Sequence, residues 1–356
     1  MSKSRKIFLT GFPGFIAGRL VEKMAGTETE FYLLVQSVFL ERAKAEIERI
    51  VYETEAPLEN FTIVEGDITL PGLGITPEDH AFLAEQITEI FHLAAIYDLE
   101  VAREPAYAVN LEGTKNVNAF AGSMRRLERY NYISTCYVAG KRTGRILESE
   151  LEHDAGFRNH YEETKYLAEL EVERLKGTIP TTIFRPSVVV GDSHTGETAK
   201  YDGIYYLILY LLKSPGLFRL VNVGNERVRL NLVPVDFVVD GIAALSAEER
   251  AIGKTIALAD PEPLPTAELF NVLATELVGK PSIVQPPASV VELLLNSPVS
   301  PAATGLPHSG VPYFFIDQTY DTAIADEMLS SHGIRCPSFR DYAAVLIDFV
   351  KKHPTL

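Results

Sequence analysis

The sequence predicts an α/β protein: a doubly wound parallel sheet with a smaller C-terminal lobe. Three observations lead there. Short apolar, β-rich runs alternate with charged amphipathic stretches through the first half of the chain, as parallel strands covered on both faces by helices require. A glycine-rich turn follows the first of those runs directly. After Pro186 the composition changes, becoming aromatic and apolar at 199–225 and rich in Pro, Ser, Gly and Leu at 281–312.

The first strand, Lys6–Thr10, runs into Gly11-x-x-Gly14-x-x-Ala17, and Arg19–Met24 continues as a helix. A tight turn needs Gly11, a close backbone approach to pyrophosphate needs Gly14, and a small Ala17 lets the helix close on the sheet. A helix N-terminus placed there points unpaired N–H groups at phosphate. Gly11, Phe12, Pro13, Gly14, Phe15 and Ile16 are therefore read as the cofactor turn. The second strand, Phe31–Val35, ends at Gln36 and Ser37, where the ribose is read. No Asp or Glu stands there to hold a 2′-hydroxyl and repel a 2′-phosphate, and Arg42 follows about one turn later. NADP is favoured over NAD.

Further strands are read at Phe61–Glu65, Glu89–Ala94, Arg129–Thr135 and Thr181–Arg185. Helical patterns are read at Phe39–Tyr52, Tyr161–Lys176 and Phe339–Lys352. A helix at Val233–Ala247 and a strand at Lys254–Ala259 are expected to return to the main sheet. The nucleotide-binding domain is accordingly placed at residues 1–190 with 228–260, and the substrate lobe at 191–227 and 261–356.

Composition excludes several functions. The 356 residues carry 33 basic and 48 acidic side chains, a net charge of −15 that opposes nucleic acid and anionic membranes. Two cysteines give neither a disulfide framework nor a metal cluster, and the eight histidines show no ligand spacing, so no metal is expected. The longest apolar run, Ile204–Leu212, is nine residues, where a membrane span needs about twenty. A cytoplasmic protein is expected.

Tyr-x-x-x-Lys occurs twice, at Tyr137–Lys141 and Tyr161–Lys165, where 16 Tyr and 14 Lys give about 0.6 by chance. Context separates the two. Tyr137 stands at a strand end entering a turn, whereas Tyr161 and Lys165 open a long helix on which residues four apart stack. A lysine ammonium nearby would lower the pKa of a tyrosine towards useful acid–base range and reach a nicotinamide ribose. Ser134 and Thr135, at the carboxyl end of a strand, can hold a carbonyl oxygen. Cys136 reads as a packing thiol and His160 as an exposed helix-start residue.

Several motifs occur together in order: Thr10-Gly-Phe-Pro-Gly-Phe, Gly66-Asp67, Phe91-His-Leu-Ala-Ala95, Val109-Asn110, Ile133-Ser-Thr135, Tyr161-x-x-x-Lys165 and Arg185-Pro186. Over roughly residues 5–260 the chain thereby resembles the extended short-chain dehydrogenase/reductases. Ser134–Gly140, Arg185–Asp192 and Asn231–Asp236 resemble the thioester-reductase and fatty acyl-CoA-reductase group within them. The resemblance implies that Thr135 binds the substrate carbonyl, that Tyr161 and Lys165 are the acid–base pair, and that Asn110 supports the lysine and a water. It further implies that Asp67 and Ile68 meet the adenine, that Leu93, Ala94 and Ala95 line the adenosine side, and that Pro186, Val188 and Val189 pack on the nicotinamide. Gln36 departs from the pattern, since members using NADPH commonly carry Arg there.

The expected reaction is NAD(P)H-dependent reduction of a carbonyl or acyl thioester of an apolar substrate. Competing readings are a ketoreductase or alcohol dehydrogenase, a sugar-nucleotide epimerase, and a non-catalytic dinucleotide sensor. The apolar wall is read at Tyr201–Leu212, then at Val290, Val291, Leu293–Leu295 and Val311–Phe315, the alternative being lobe core or a homodimer interface.

Overall fold

A computed structural model describes residues 5–213, 221–297 and 308–355; parts of the stretches 199–225 and 281–312 lie outside them. Along the chain come β1 (Arg5–Thr10), α1 (Phe15–Met24), β2 (Thr29–Val35), α2 (Leu40–Thr54), β3 (Phe61–Glu65), α3 (Pro77–Gln86) and β4 (Glu89–His92). A single turn, α4 (Arg103–Ala106), leads through a π-helical stretch at Tyr107–Glu112 into α5 (Gly113–Ser123). Next are β5 (Arg129–Ile133), β6 (Gly144–Ile146), α6 (His160–Glu173), β7 (Thr181–Pro186), β8 (Val188–Val190) and α7 (Ile204–Lys213). Then follow β9 (Leu232–Pro234), α8 (Val235–Ser246), β10 (Thr255–Leu258), α9 (Thr266–Val278), α10 (Ala288–Leu295), β11 (Gln318–Tyr320), α11 (Ala323–Ser330) and α12 (Phe339–Lys352).

Seven strands form one parallel sheet in the order β10-β7-β5-β4-β1-β2-β3. Successive side chains of a strand face opposite sides, so a sheet covered twice needs apolar residues in both phases. Ile7, Leu9, Phe31 and Leu33 pack on one face with α1, α2 and α8. Phe8, Tyr32, Tyr130 and Tyr132 pack on the other with α3, α5 and α6. Strand order reverses between β1 and β4, which opens a crevice beyond Thr10 and His92.

All six strands read in the first half of the sequence are present, two of them shorter than expected. The strand read to Ala94 ends at His92, and the one read to Thr135 ends at Ile133. One last bond holds each, Leu93 N to Thr10 O at 3.3 Å and Ser134 N to Phe184 O at 2.7 Å. Beyond it the backbone bends out to line the crevice.

The apolar wall expected at Tyr201–Leu212 is corrected. Tyr205, Leu207, Ile208 and Leu211 are buried against Leu269, Phe270 and Leu273 of α9 and Tyr342 and Leu346 of α12. These residues form a second hydrophobic core. Of the other stretches, Val291 and Val311 are buried, while Leu293 and Leu294 are exposed. No helix among the described residues is long and apolar enough to cross a membrane.

Candidate active site

The crevice is a cleft of about 670 Å³ running from the glycine turn to the N-terminus of α6. At its first end Gly11 has φ +95°, and a Cβ there would stand 2.8 Å from Ala94 N. Only glycine fits that turn. Gly14 caps α1 with no side chain over the helix N-terminus, and the first turn holds no acidic residue. Its N–H groups are left for an anion, so these residues fit a dinucleotide diphosphate.

Most residues singled out from the sequence converge here. Gly11 to Ile16, Gln36, Ile68, Leu93 to Ala95, Thr135, Tyr161, Lys165, Pro186, Val188 and Val189 all line the cleft. Ser37 and Asp67 instead line an adjoining groove along β3. Ser37 donates to Glu65, and Asp67 accepts from Thr69 N and Thr69 Oγ1, each at 2.8 Å. Against the cost of burial, these bonds and one from Gln36 hold the Asp67 carboxyl below its ordinary value. Arg42 lies at the cleft rim beside Gln36 and Phe39, exposed and without a side-chain partner among the described residues.

Asn159 caps α6 by accepting from Glu162 N at 2.9 Å, and this fixes the start of the helix. Tyr161 then faces the cleft at 5% exposure. Thr135 lines the same cleft, and the Tyr97 ring meets the Tyr161 ring edge-on at 5.1 Å. Burial pushes the phenol well above its ordinary pKa, outweighing the opposite pull of Thr135. It is a neutral donor throughout the physiological range.

Lys165 differs from expectation. Its ammonium donates to Tyr132 Oη at 2.8 Å and to Ile133 O at 2.9 Å. Burial pushes it down to about 7, against the pull of the Glu169 carboxylate. The Tyr161 phenol is raised by burial rather than lowered by this lysine. Asn110 is likewise turned elsewhere: it accepts from Ile96 N at 2.8 Å and donates to Ile96 O at 3.2 Å and Thr164 Oγ1 at 3.1 Å. It pins the loop after β4 to α6 and makes no bond to Lys165.

The two strand-end hydroxyls part company. Ser134 donates to the buried Glu169, whose other oxygen accepts from Arg185 Nε at 2.8 Å. Thr135 accepts from Tyr137 N at 3.1 Å and lines the cleft together with Tyr161. Cys136 Sγ is buried, donates to Arg185 O at 3.2 Å, and has its thiol pKa raised by burial. His160 starts α6 with its side chain 43% exposed, next to Glu163 at 3.2 Å.

Some lining residues escaped the sequence reading. Tyr137 lines the cleft, its ring 4.7 Å from that of Tyr313, whereas Lys141 is exposed. Tyr97, Thr198, Lys200 and Asp202 complete the same side, with Lys200 paired to Asp202 at 3.6 Å. Tyr97 and Tyr137 each lie two residues beyond a residue that was read as lining, which was the available signal. No local pattern points to Thr198, Lys200 or Asp202.

Comparison with known proteins agrees with this geometry. The NAD-binding family model described as male sterility protein matches residues 9–242. The fatty acyl-CoA reductase wat of Drosophila melanogaster is 27% identical over 279 residues, covering 68% of this chain and 54% of that protein. The chain thus spans about half the length of that curated relative. The terminal R domain of the myxalamid PKS-NRPS biosynthetic pathway superposes with a TM-score of 0.83 at 25% identity, covering 100% of this chain and 92% of that one. A UDP-glucuronic acid 4-epimerase from Bacillus cereus, in complex with NAD, shares the fold at a TM-score of 0.66 and 18% identity, covering 98% of this chain and 99% of that one.

Proposed function

The chain belongs to the male sterility protein family of NAD-binding domains, of the extended short-chain dehydrogenase/reductase type, and from that premise we propose that it reduces acyl thioesters or aldehydes with NADPH. The observation that carries this reading is that Tyr161 and Thr135 stand together in the wall of a cleft whose far end is a bare helix N-terminus.

When bound, the dihydronicotinamide supplies a hydride to the carbonyl carbon. Tyr161 and Thr135 hold the carbonyl oxygen between two hydroxyl donors, and their pull strengthens as negative charge grows on it. Tyr161 gives up its phenolic proton to that oxygen. A thioester then becomes a hemithioacetal, which expels the thiol to leave an aldehyde. Lys165, with two protons held by Tyr132 and Ile133, has one left for a ribose hydroxyl. Pro186, Val188 and Val189 give the nicotinamide end an apolar wall. Residues 191–227 and 261–356 serve as the substrate lobe.

The 2′-phosphate is assigned to Arg42, since its guanidinium lines the cleft beside Gln36 and has no side-chain partner among the described residues. A charge-assisted bond contributes about 1.5–3 kcal/mol, or roughly ten- to a hundredfold in affinity. Arg42→Ala should therefore raise the KM for NADPH by about that factor and leave NADH nearly unchanged. Gln36→Arg should tighten NADPH further, and Gln36→Asp should shift preference towards NADH. Equal effects of Arg42→Ala on both cofactors would move the phosphate site elsewhere.

On the substrate side Tyr97, Tyr137 and Val188 supply apolar surface, and Lys200, which lines the cleft there, is paired with Asp202. That wall suits an acyl or alkyl chain better than a sugar diphosphate. The test is NADPH oxidation with acyl-CoAs of increasing length, aldehydes, ketones and UDP-sugars. Efficiency should rise with chain length, by up to about fourfold per methylene at 0.8 kcal/mol each, until the cleft is filled. Turnover of UDP-sugars with silence on thioesters and aldehydes would replace this reading by the epimerase one.

A further inference from the structure

Two residues that flank Tyr161 on the first turn of α6, Asn159 and Glu162, are bonded to the same distant tyrosine. Tyr313 lies in a 3₁₀-helical stretch, His308–Phe314, 151 residues after Glu162. Its hydroxyl donates to Glu162 Oε1 at 2.6 Å and accepts from Asn159 Nδ2 at 2.8 Å. Tyr313 is 7% exposed and the Glu162 side chain 0%. Glu162 Oε2 accepts from Arg158 N at 2.9 Å, and the Arg158 guanidinium stands 3.3 Å from Oε1. A carboxylate buried this far needs close donors, and the phenol is nearer than either Arg158 group.

Counting protons fixes each link. Asn159 Oδ1 accepts from Glu162 N at 2.9 Å as the cap of α6, which leaves the amide N–H to donate to Tyr313. Tyr313 has one proton, and Glu162 takes it. The three residues thus close a ring around the turn that carries Tyr161. The same part of the chain also grips the opposite side of the site. The Tyr313 ring lies 4.7 Å from that of Tyr137. Arg158 Nη1 donates to Gly140 O, and Gln318 Nε2 donates to the same oxygen at 3.1 Å. Gly140 ends the short turn Cys136–Ala139, which Thr135 opens by accepting from Tyr137 N. One segment therefore touches the carriers of both cleft hydroxyls.

We propose that Tyr313 is a positioning residue that holds the start of α6, and with it Tyr161, in register with the turn from Thr135 to Gly140. This rests on the reading of Tyr161 and Thr135 as the hydroxyl pair of the reductase site. Tyr313 lies behind Tyr137 rather than in the lining of the cleft, so it acts through its neighbours and not on the substrate. The first turn of a helix is where a displacement costs least, because its N–H groups have no partners within the helix. A donor misplaced by about 1 Å can lose roughly a hundredfold in rate. Cofactor binding at the glycine turn, the other end of the cleft, does not depend on that register.

Tyr313→Phe keeps the ring against Tyr137 and removes only the hydroxyl. It should lower kcat about tenfold, per mole of protein that binds NADPH in a fluorescence titration, and leave the KM for NADPH within about twofold. Placed in Tyr161→Phe, the same change should cost almost nothing further, because the group it positions is gone. A general loosening of the fold would instead lower both backgrounds by one factor. Amide exchange gives a readout free of turnover: the Glu162 N–H should exchange about tenfold faster in Tyr313→Phe, with the Ala168 N–H in the middle of α6 unchanged. Asn159→Ser keeps a helix cap but withdraws the amide donor to Tyr313, so it should move kcat and the Glu162 exchange in the same directions. A Tyr313→Phe protein with the parent's kcat would overturn the proposal, as would one whose loss recurs in full on Tyr161→Phe. If Tyr313→Phe does not fold, Asn159→Ser decides by the same criteria. A protein that turns over no carbonyl substrate would defeat the reductase reading, and the exchange arm would still judge whether Tyr313 holds the start of α6.

Discussion

Tyr161→Phe is expected to lower kcat on the preferred carbonyl substrate by roughly a hundred- to ten-thousandfold, the usual worth of a positioned proton donor. Cofactor affinity should hardly change. The substitution keeps the buried ring and its edge-on contact with Tyr97 at 5.1 Å, and removes only the hydroxyl. The loss should appear equally in kcat and kcat/KM, because the proton is given only in the transition state. Thr135→Val, which removes the second donor, should cost less, about ten- to a hundredfold. Tyr137→Phe should lose far less than Tyr161→Phe, since its lysine partner by sequence, Lys141, is exposed. Steady-state kinetics with fluorescence titration of NADPH separates these effects. A Tyr161→Phe protein that keeps most of its turnover would remove this residue from the mechanism.

The largest stability effect is expected at Glu169. Its carboxylate accepts from Arg185 Nε at 2.8 Å and from Ser134, with side-chain exposures of 0% for Glu169 and 4% for Arg185. Taking one partner from a buried ion pair strands the other charge, at a cost of about 3–5 kcal/mol. Glu169→Ala should cost that much, because it leaves a buried guanidinium without a counter-ion and Ser134 without an acceptor. Arg185 also donates to Glu150 O at 3.0 Å and to Glu148 O at 3.3 Å, so the segment after β6 should loosen with it. Removing both charges together, as Glu169→Met with Arg185→Met, should recover much of the loss. Urea unfolding of the three proteins gives the comparison. A single variant within about 1 kcal/mol of the parent would show that water reaches the pair.

The sheet was legible in the sequence because its signals are local. A strand buried on both faces is an unbroken apolar run, as in Ile7-Phe-Leu9, and its period does not depend on which helix covers it. The glycine turn was equally local, since Gly11 needs its left-handed φ within one turn of chain. Choosing Tyr161–Lys165 over Tyr137–Lys141 used only the fact that helical residues four apart share a face. The strand end at His92 differs from expectation because the apolar Leu93 and Ala94 run on into the loop that lines the cleft.

Other features depended on neighbours distant in sequence. Lys165 shares a helix face with Tyr161, yet its ammonium is claimed by Tyr132, 33 residues earlier on a strand beneath α6. Asn110 bonds Ile96 and Thr164, which no spacing joins to it. The apolar face of α7 shows the same division. Its composition required burial, and packing decided that α9 and α12 would bury it rather than a substrate. Hydrophobic and helical periodicity reveal that a face must be covered, because transfer from water is non-directional. What covers it, and where each buried proton points, is settled by three-dimensional contacts that the periodicity does not contain.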